Sequence, residues 1–139
     1  MSWENEPIVF SKDVIGFVYK IIEKDTDMIY FGIKSLTFNK TLPPLKGRTK
    51  KEKERRAKLK GNKRHIVIES DWKTYNTSSP IMQEKLETNP NNYRKIIIRG
   101  CTSITELKAY EAYYQLQYYV AGNWNKLYNE VINLRLRVR

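Results

Sequence analysis

Two tyrosines at matching places in neighbouring apolar segments are the first residues whose spacing suits chemistry. Tyr19 closes the triplet FVY and Tyr30 opens the triplet YFG, with ten residues between the triplets. Val, Ile and aromatic residues dominate both segments, which predicts strands over 14–22 and 28–34, and the polar EKDTD between them predicts a hairpin loop. Because a hairpin pairs neighbouring strands, we expect the two phenols to lie close together on the sheet. Gly32 inside the second strand indicates a close approach by another group.

A glutamate inside an apolar helix stripe is the second candidate for chemistry. The capping box SITE predicts a helix over about 103–120 that ends at Gly122. At about 100° per residue, Glu111 falls about 40° from Leu107, inside a stripe of apolar and aromatic side chains. A carboxylate there must be desolvated, so it needs a cation, a hydrogen-bond donor or a metal ion. Two interpretations stay open: a hard oxygen ligand for a divalent cation, or a glutamate at the stripe edge that reaches solvent or a core arginine.

Positive charge is concentrated in residues 45–66. This segment has eleven Lys or Arg and two Glu, so it carries +9 of the formal net charge of +11. One interpretation is a solvated charged loop or helix, and the other is an arm that binds phosphates and releases their counterions. We expect the whole insertion, about residues 40–66, to be helical or disordered. The candidate nucleic-acid-binding residues are Lys46, Arg48, Lys50, Lys51, Lys53, Arg55, Arg56, Lys58, Lys60 and Lys63.

The remaining segments complete an α+β order of elements. A strand beginning in 66–72, a helix over about 80–88 capped by Ser79, and a third strand over 93–99 follow the basic segment. This order predicts one α+β domain over 1–139, with a small, mainly antiparallel sheet of three strands flanked by helices.

The cysteine and histidine counts narrow the classes of site. The single cysteine, Cys101, excludes an internal disulfide framework and suits a reducing compartment. With one histidine, His65, the chain lacks the ligands of a Cys₂His₂ or Cys₄ zinc site. No apolar run is long enough to cross a membrane, and the N-terminus does not have the pattern of a signal peptide. We therefore expect a cytoplasmic protein with no membrane partner.

These motifs together resemble the GIY-YIG nuclease family. The triplets FVY and YFG stand where the family has GIY and YIG, and only Tyr19, Tyr30 and Gly32 keep the family's letters. Further motifs resemble those of small GIY-YIG proteins encoded by phages: YFGIKS at 30–35, ESDWKTY at 69–75 followed by SS at 78–79, EA at 111–112 and YN at 128–129. The resemblance covers about residues 15–139 and implies a GIY-YIG fold.

The resemblance implies a role for each matching residue. Tyr19 would deprotonate or orient the attacking water, and Tyr30 would hydrogen-bond within the same site. Gly32 would leave room for the substrate backbone. Glu111 would hold Mg²⁺ or Mn²⁺, which neutralises charge on the phosphate, and Asn129 would orient Glu111 or the phosphate.

The sequence departs from the family at the positively charged side chain that takes part in catalysis. Many relatives carry an arginine on a helix soon after the second triplet, and here the basic insertion displaces that helix. Arg64, at the end of the insertion, and Lys34, on the second strand, are the two candidates for stabilising the extra charge of the transition state. His65 and Tyr75 are candidates for proton transfer.

The resemblance predicts a metal-dependent endonuclease that hydrolyses phosphodiester bonds in DNA, with RNA left open as a substrate. The short chain favours a free-standing enzyme. The resemblance to phage-encoded proteins implies a phage-encoded nuclease, homing-like or DNA-degrading, that acts in the host cytoplasm. A homodimer on the substrate would supply the second cut of a double-strand break. Two alternatives stay open: a catalytically inactive nucleic-acid-binding module of the same fold, and a small RNA-binding protein whose tyrosines stack on bases.

Overall fold

Five strands and two α-helices make up the described part of the chain. The computed structural model describes residues 2–6, 8–42 and 64–134, with the backbone alone for 40–42 and 64–65. The elements are β1 (Gly16–Glu23), β2 (Ile29–Ser35), β3 (Thr37–Leu42), β4 (Arg64–Glu69), α1 (Pro80–Thr88), β5 (Tyr93–Cys101) and α2 (Ile104–Val120), with short 3₁₀ helices at Pro90–Asn92 and Trp124–Lys126. The chain divides into two compact units, Met1–Leu36 with Asp71–Arg139, and Thr37–Ser70.

The larger unit is built on a three-stranded antiparallel sheet in the order β2-β1-β5. β1 pairs with β2 in a register that sets Tyr19 opposite Gly32. The central strand β1 is almost wholly buried because both of its faces are covered, which explains its near-continuous apolar run. A β-bulge in the pairing of β1 with β5 falls between Val18 and Tyr19.

One face of this sheet, here called the aromatic face, carries most of the core. Tyr19 of β1 points into it, and the alternation of strand side chains puts Tyr30, Gly32 and Lys34 of β2 on the same face. The other buried side chains of this core include Trp3, Phe17, Ile21, Trp72, Met82 and Leu86, the last two from α1.

The opposite face, here called the helix face, is covered by α2. Val18 and Cys101 of the sheet are buried with Leu107 of α2 in one cluster. Phe31 of β2 stacks on Tyr114 of α2, with ring centroids 5.9 Å apart. The sheet therefore lies between α1 on one face and α2 on the other, which confirms the predicted α+β class with helices flanking an antiparallel sheet.

Both helices begin at the serines that the sequence predicts. Ser79 Oγ accepts from Met82 N at 3.4 Å, and Ser103 Oγ accepts from Glu106 N at 3.1 Å. α2 ends just before Gly122, whose φ of +82° is the left-handed conformation that commonly follows a helix. None of the described helices combines the length and the apolar character needed to cross a membrane.

After α2 the chain returns along the free edge of β2. Leu127 forms a parallel bridge with Ile29, and Tyr128 N donates to Ile29 O at 2.8 Å. The Asn129 side chain then pairs with both backbone groups of Phe31: Oδ1 accepts from Phe31 N and Nδ2 donates to Phe31 O, each at 2.9 Å. Residues 127–133 are here called the edge segment.

The smaller unit contains an antiparallel strand pair, β3 with β4, which runs from Thr37 opposite Glu69 to Leu42 opposite Arg64. β4 begins two residues before the strand expected in 66–72. The sequence does not predict β3, because TFNKTL has few apolar residues and runs directly into two prolines. The expected helical or disordered state of the insertion falls mainly on residues 43–63, which lie outside the described residues, but both flanks of that stretch are strands.

Candidate active site

Tyr19 and Tyr30 lie side by side on the aromatic face. Their ring centroids are 6.3 Å apart. A Cβ built on Gly32 would collide with the phenol of Tyr19, so this phenol fills the space that a side chain at position 32 would need. The close approach at Gly32 is therefore made by Tyr19 from within the protein, whereas the resemblance assigns that space to the substrate backbone.

The Tyr19 phenol is enclosed by the core. The residue is 0% exposed, and its Oη donates to Thr77 Oγ1 at 3.2 Å. Thr77 Oγ1 also accepts from Ser79 N at 3.2 Å. Burial is the main cause that raises the pKa of Tyr19 well above its usual value, so the phenol is neutral at physiological pH. In this conformation Tyr19 supports the loop that leads into α1, which differs from the direct water contact that the resemblance implies.

Lys34 brings positive charge to the phenols. Its Nζ lies 2.7 Å from Asp71 Oδ1 and 4.1 Å from the centroid of the Tyr75 ring, a cation–π distance. The Tyr75 ring is in turn 6.0 Å from the Tyr19 ring. The hydrogen bond from Lys34 holds the pKa of the Asp71 carboxyl below its usual range. The structure therefore brings Lys34 and Tyr75 together with Tyr19 and Tyr30, and we call these four residues the tyrosine cluster.

The other candidate for the catalytic cation, Arg64, and the other candidate for proton transfer, His65, lie in the smaller unit. Arg64 and His65 belong to β4, opposite Leu42 and Thr41, and their side chains are outside what the structure describes. The candidate nucleic-acid-binding residues between positions 46 and 63 also fall outside the described ranges. Their roles stay predictions from the sequence.

A buried lysine that the sequence analysis does not single out supports the tyrosine cluster. Lys95 of β5 is 1% exposed. Its Nζ donates to Tyr75 O at 2.6 Å and to Asn76 Oδ1 at 2.9 Å, and it lies 4.2 Å from the centroid of the Trp3 ring. Burial lowers the pKa of Lys95 to about 8. A signal for it exists in the sequence, because strand alternation in YRKIIIR puts Lys95 on the same face as the buried Ile97.

Tyr30, unlike Tyr19, lines a solvent-accessible pocket. The pocket has a volume of about 370 Å³, and its walls include Ser79 at the start of α1 and Tyr128 and Asn129 of the edge segment. Both polar groups of the Asn129 side chain bond the backbone of Phe31. Asn129 therefore fixes the edge of β2, whereas the resemblance implies that it orients Glu111 or the phosphate.

Glu111 lies on the helix face, at a second pocket. This pocket of about 220 Å³ is lined by Glu111 and Gln115 of α2, Ile33 of β2 and Asn133 of the edge segment, among others. Gln115 Nε2 donates to Glu111 Oε1 at 3.5 Å, and burial raises the pKa of the Glu111 carboxyl. Within the described residues Glu111 and the tyrosine cluster therefore occupy opposite faces of the sheet. The edge segment lines both pockets, since Asn129 belongs to one and Asn133 to the other.

The structure has an antiparallel sheet between two helices, with paired tyrosines on its first hairpin. This is the class of domain that the GIY-YIG motifs imply. A family model agrees: the family described as "Putative endonuclease segE, GIY-YIG domain" matches residues 3–132, nearly the whole chain. The chain belongs to this GIY-YIG endonuclease family, as its motifs predict. No curated protein and no solved structure matches it.

Proposed function

We propose that this protein is a metal-dependent endonuclease that hydrolyses phosphodiester bonds in DNA. The observation that carries the proposal is the match, over residues 3–132, to a domain family described as an endonuclease. The charge balance adds support, because a chain with a net charge of +11 attracts polyanions. The proposed endonuclease acts in the cytoplasm. If a phage encodes the protein, this is the cytoplasm of the host.

Glu111 is the residue that would hold Mg²⁺ or Mn²⁺. Its carboxylate is partly buried, its pKa is raised by burial, and its hydrogen-bond neighbour Gln115 is a neutral amide. The described residues contain no group of three or more His, Cys, Asp or Glu side chains that could form an all-protein metal cage. One carboxylate fits Mg²⁺, which is usually bound by one or two carboxylates and completed by substrate phosphates. The metal would neutralise charge on the phosphate and the leaving group.

The protein's own residues on the aromatic face would position the phosphodiester. The Lys34 ammonium would offset negative charge on the phosphate, and Tyr30 would donate a hydrogen bond in the pocket that it lines. Tyr19 would act through Thr77. A phosphodiester that contacts both Glu111 and Tyr30 has to reach across the edge of β2. The basic segment 45–66 would bind flanking phosphates, and a second copy of the chain would cut the second strand.

A nucleic-acid-binding module without catalysis is the second candidate. The burial of Tyr19 and the position of Glu111 on the opposite face favour it, because both separate groups that a single reaction would use. This module would keep the basic segment for phosphates and lose the chemistry.

Cleavage of supercoiled plasmid separates the two candidates. With Mg²⁺ the endonuclease converts the plasmid to nicked and linear forms, and a chelator stops the conversion. A binding module retards the plasmid on a gel and leaves it supercoiled with or without metal. A matched pair of single-stranded DNA and RNA oligonucleotides decides whether the activity is limited to DNA.

A further inference from the structure

A buried carboxylate at the end of β1 contacts the edge segment. Glu23 is 8% exposed and accepts hydrogen bonds from three hydroxyl groups. Thr26 Oγ1 donates to Oε1 at 2.9 Å, Tyr93 Oη donates to Oε2 at 2.9 Å, and Tyr128 Oη also donates to Oε2. Two of these donors belong to the sheet and its hairpin, and Tyr128 belongs to the edge segment. Glu23 therefore ties the edge segment to the sheet.

The carboxylate is charged in the folded protein. Burial by itself would raise the pKa of Glu23, but the hydrogen bonds from Tyr128, Thr26 and Tyr93 outweigh it and lower the pKa. Hydrogen bonds to an ionised acceptor are roughly twice as strong as neutral ones. The bond from Tyr128 is thus one of the stronger contacts that hold the edge segment.

Further contacts also hold the edge segment, or the residue just before it, to its surroundings. Lys85 Nζ of α1 lies 5.2 Å from the centroid of the Tyr128 ring, and Lys126 Nζ donates to Thr26 O at 3.1 Å in an exposed position. Directly after Tyr128 comes Asn129, whose side chain holds Phe31 N and O. Fixing Tyr128 therefore fixes the residue that closes the edge of β2 between the two pockets.

We propose that Glu23 is a positioning residue for the nuclease site, and that it acts through Tyr128 to hold the edge segment against β2. The inference rests on the proposed function, because it assigns the edge segment the task of keeping the Tyr30 pocket and the Glu111 pocket in fixed relation. Neither Glu23 nor Tyr128 has to touch the substrate for this role.

Two tyrosines on the same carboxylate oxygen give a matched pair of variants. Tyr128→Phe removes the hydroxyl that belongs to the edge segment, whereas Tyr93→Phe removes one that belongs to β5. The first measurement is hydrogen exchange of the Phe31 amide, which donates to Asn129 Oδ1. We expect Tyr128→Phe to accelerate this exchange by roughly ten- to a hundredfold, and Tyr93→Phe to change it by less than about threefold.

The second measurement is single-turnover plasmid cleavage at saturating enzyme, with DNA affinity measured in parallel. We expect Tyr128→Phe to slow cleavage by roughly ten- to a hundredfold with unchanged affinity, and Tyr93→Phe to cleave like the wild type. Equal effects of the two variants on exchange, or fast exchange with wild-type cleavage in Tyr128→Phe, would overturn the inference. Absence of cleavage by the wild type would instead overturn the proposed function, and the exchange data would still decide whether Glu23 ties down the edge segment.

Discussion

At the scale of single residues, the two tyrosines of the hairpin differ in what they can reach. The Tyr19 phenol fills the space above Gly32 and donates to Thr77, while Tyr30 lines an open pocket. The sequence predicts their proximity, because strand pairing alone requires it. It does not predict the burial of Tyr19, since the residues around the phenol include some that are distant along the chain. Among them are Thr77, to which the phenol donates, and Tyr75, whose ring centroid lies 6.0 Å from that of Tyr19.

The first prediction concerns the hydroxyl of Tyr19. If it acts through Thr77, Tyr19→Phe should slow cleavage by roughly tenfold, the value of one neutral hydrogen bond. Thr77→Val removes the same bond and the one from Ser79 N, so it should be at least as slow, and the double variant should be no slower than Thr77→Val. Single-turnover rates of the three variants test this. A reduction of roughly 10²–10⁴-fold in Tyr19→Phe alone, the range of general acid–base catalysis, would mean that the phenol contacts the water directly.

The second prediction concerns the stability cost of Glu111. A raised pKa means that the folded state holds the proton to higher pH than the unfolded state, so this group's contribution to stability falls as pH rises above about 4.3. Glu111→Gln should therefore be at least as stable as the wild type at pH 7, and any advantage should vanish below about pH 4. Urea unfolding of both proteins across this pH range measures it. A large loss of stability at pH 7 would mean that the carboxylate is a structural group.

At the scale of elements, local signals in the sequence predict the ends of the helices well. They predict poorly both β3 and the contact by which Lys95 supports the loop at Tyr75. Ser79, Ser103 and Gly122 mark helix ends because each satisfies backbone groups within a few residues. β3 is not predicted, since its pairing with β4 is made across the basic segment and few of its residues are apolar. The role of Lys95 depends on the loop at Tyr75, which is distant in sequence.

The third prediction uses the lowered pKa of Lys95. Between about 8 and its ordinary 10.5 the unfolded chain binds the proton that the folded chain has lost, so this group's contribution to stability rises with pH across that window. The free energy of unfolding of the wild type should therefore increase relative to Lys95→Met between pH 8 and pH 10.5. Urea unfolding of both proteins at several pH values gives this difference. A difference that is constant with pH would show that Lys95 keeps its ordinary pKa.

At the scale of the whole molecule, most of the formal net positive charge lies in sequence between Lys34 and Tyr75 of the tyrosine cluster. The segment 45–66 carries +9 and falls in sequence within the range 37–70 of the smaller unit, while the tyrosine cluster belongs to the larger unit. Its composition predicts phosphate binding without any knowledge of the fold, because counterion release depends on charge alone. The sequence cannot predict the placement of Glu111 and the phenols on opposite faces, since that follows from how α2 packs on the sheet.

The fourth prediction concerns this basic segment. Replacing Lys50, Lys51, Lys53, Arg55 and Arg56 with Gln should weaken binding to unrelated DNA sequences about equally. It should also reduce the slope of log affinity against log salt by roughly 0.9 for each phosphate of duplex DNA that the variant no longer neutralises. Fluorescence anisotropy over a range of salt concentrations measures the slope. An unchanged slope would mean that the segment stays in solvent when DNA binds.

Single-turnover cleavage of plasmid by Glu111→Gln, beside Glu106→Gln, tests the central claim most directly. The two residues share α2, and glutamine at position 106 can still serve the helix cap that Glu106 forms with Thr102. If Glu111 holds the catalytic metal, Glu111→Gln should lose roughly 10³-fold or more in rate with Mg²⁺ while it keeps its melting temperature and DNA affinity. Glu106→Gln should cleave like the wild type. Cleavage by Glu111→Gln at a rate near that of the wild type would contradict the assignment of this family member as an enzyme whose metal is bound by Glu111.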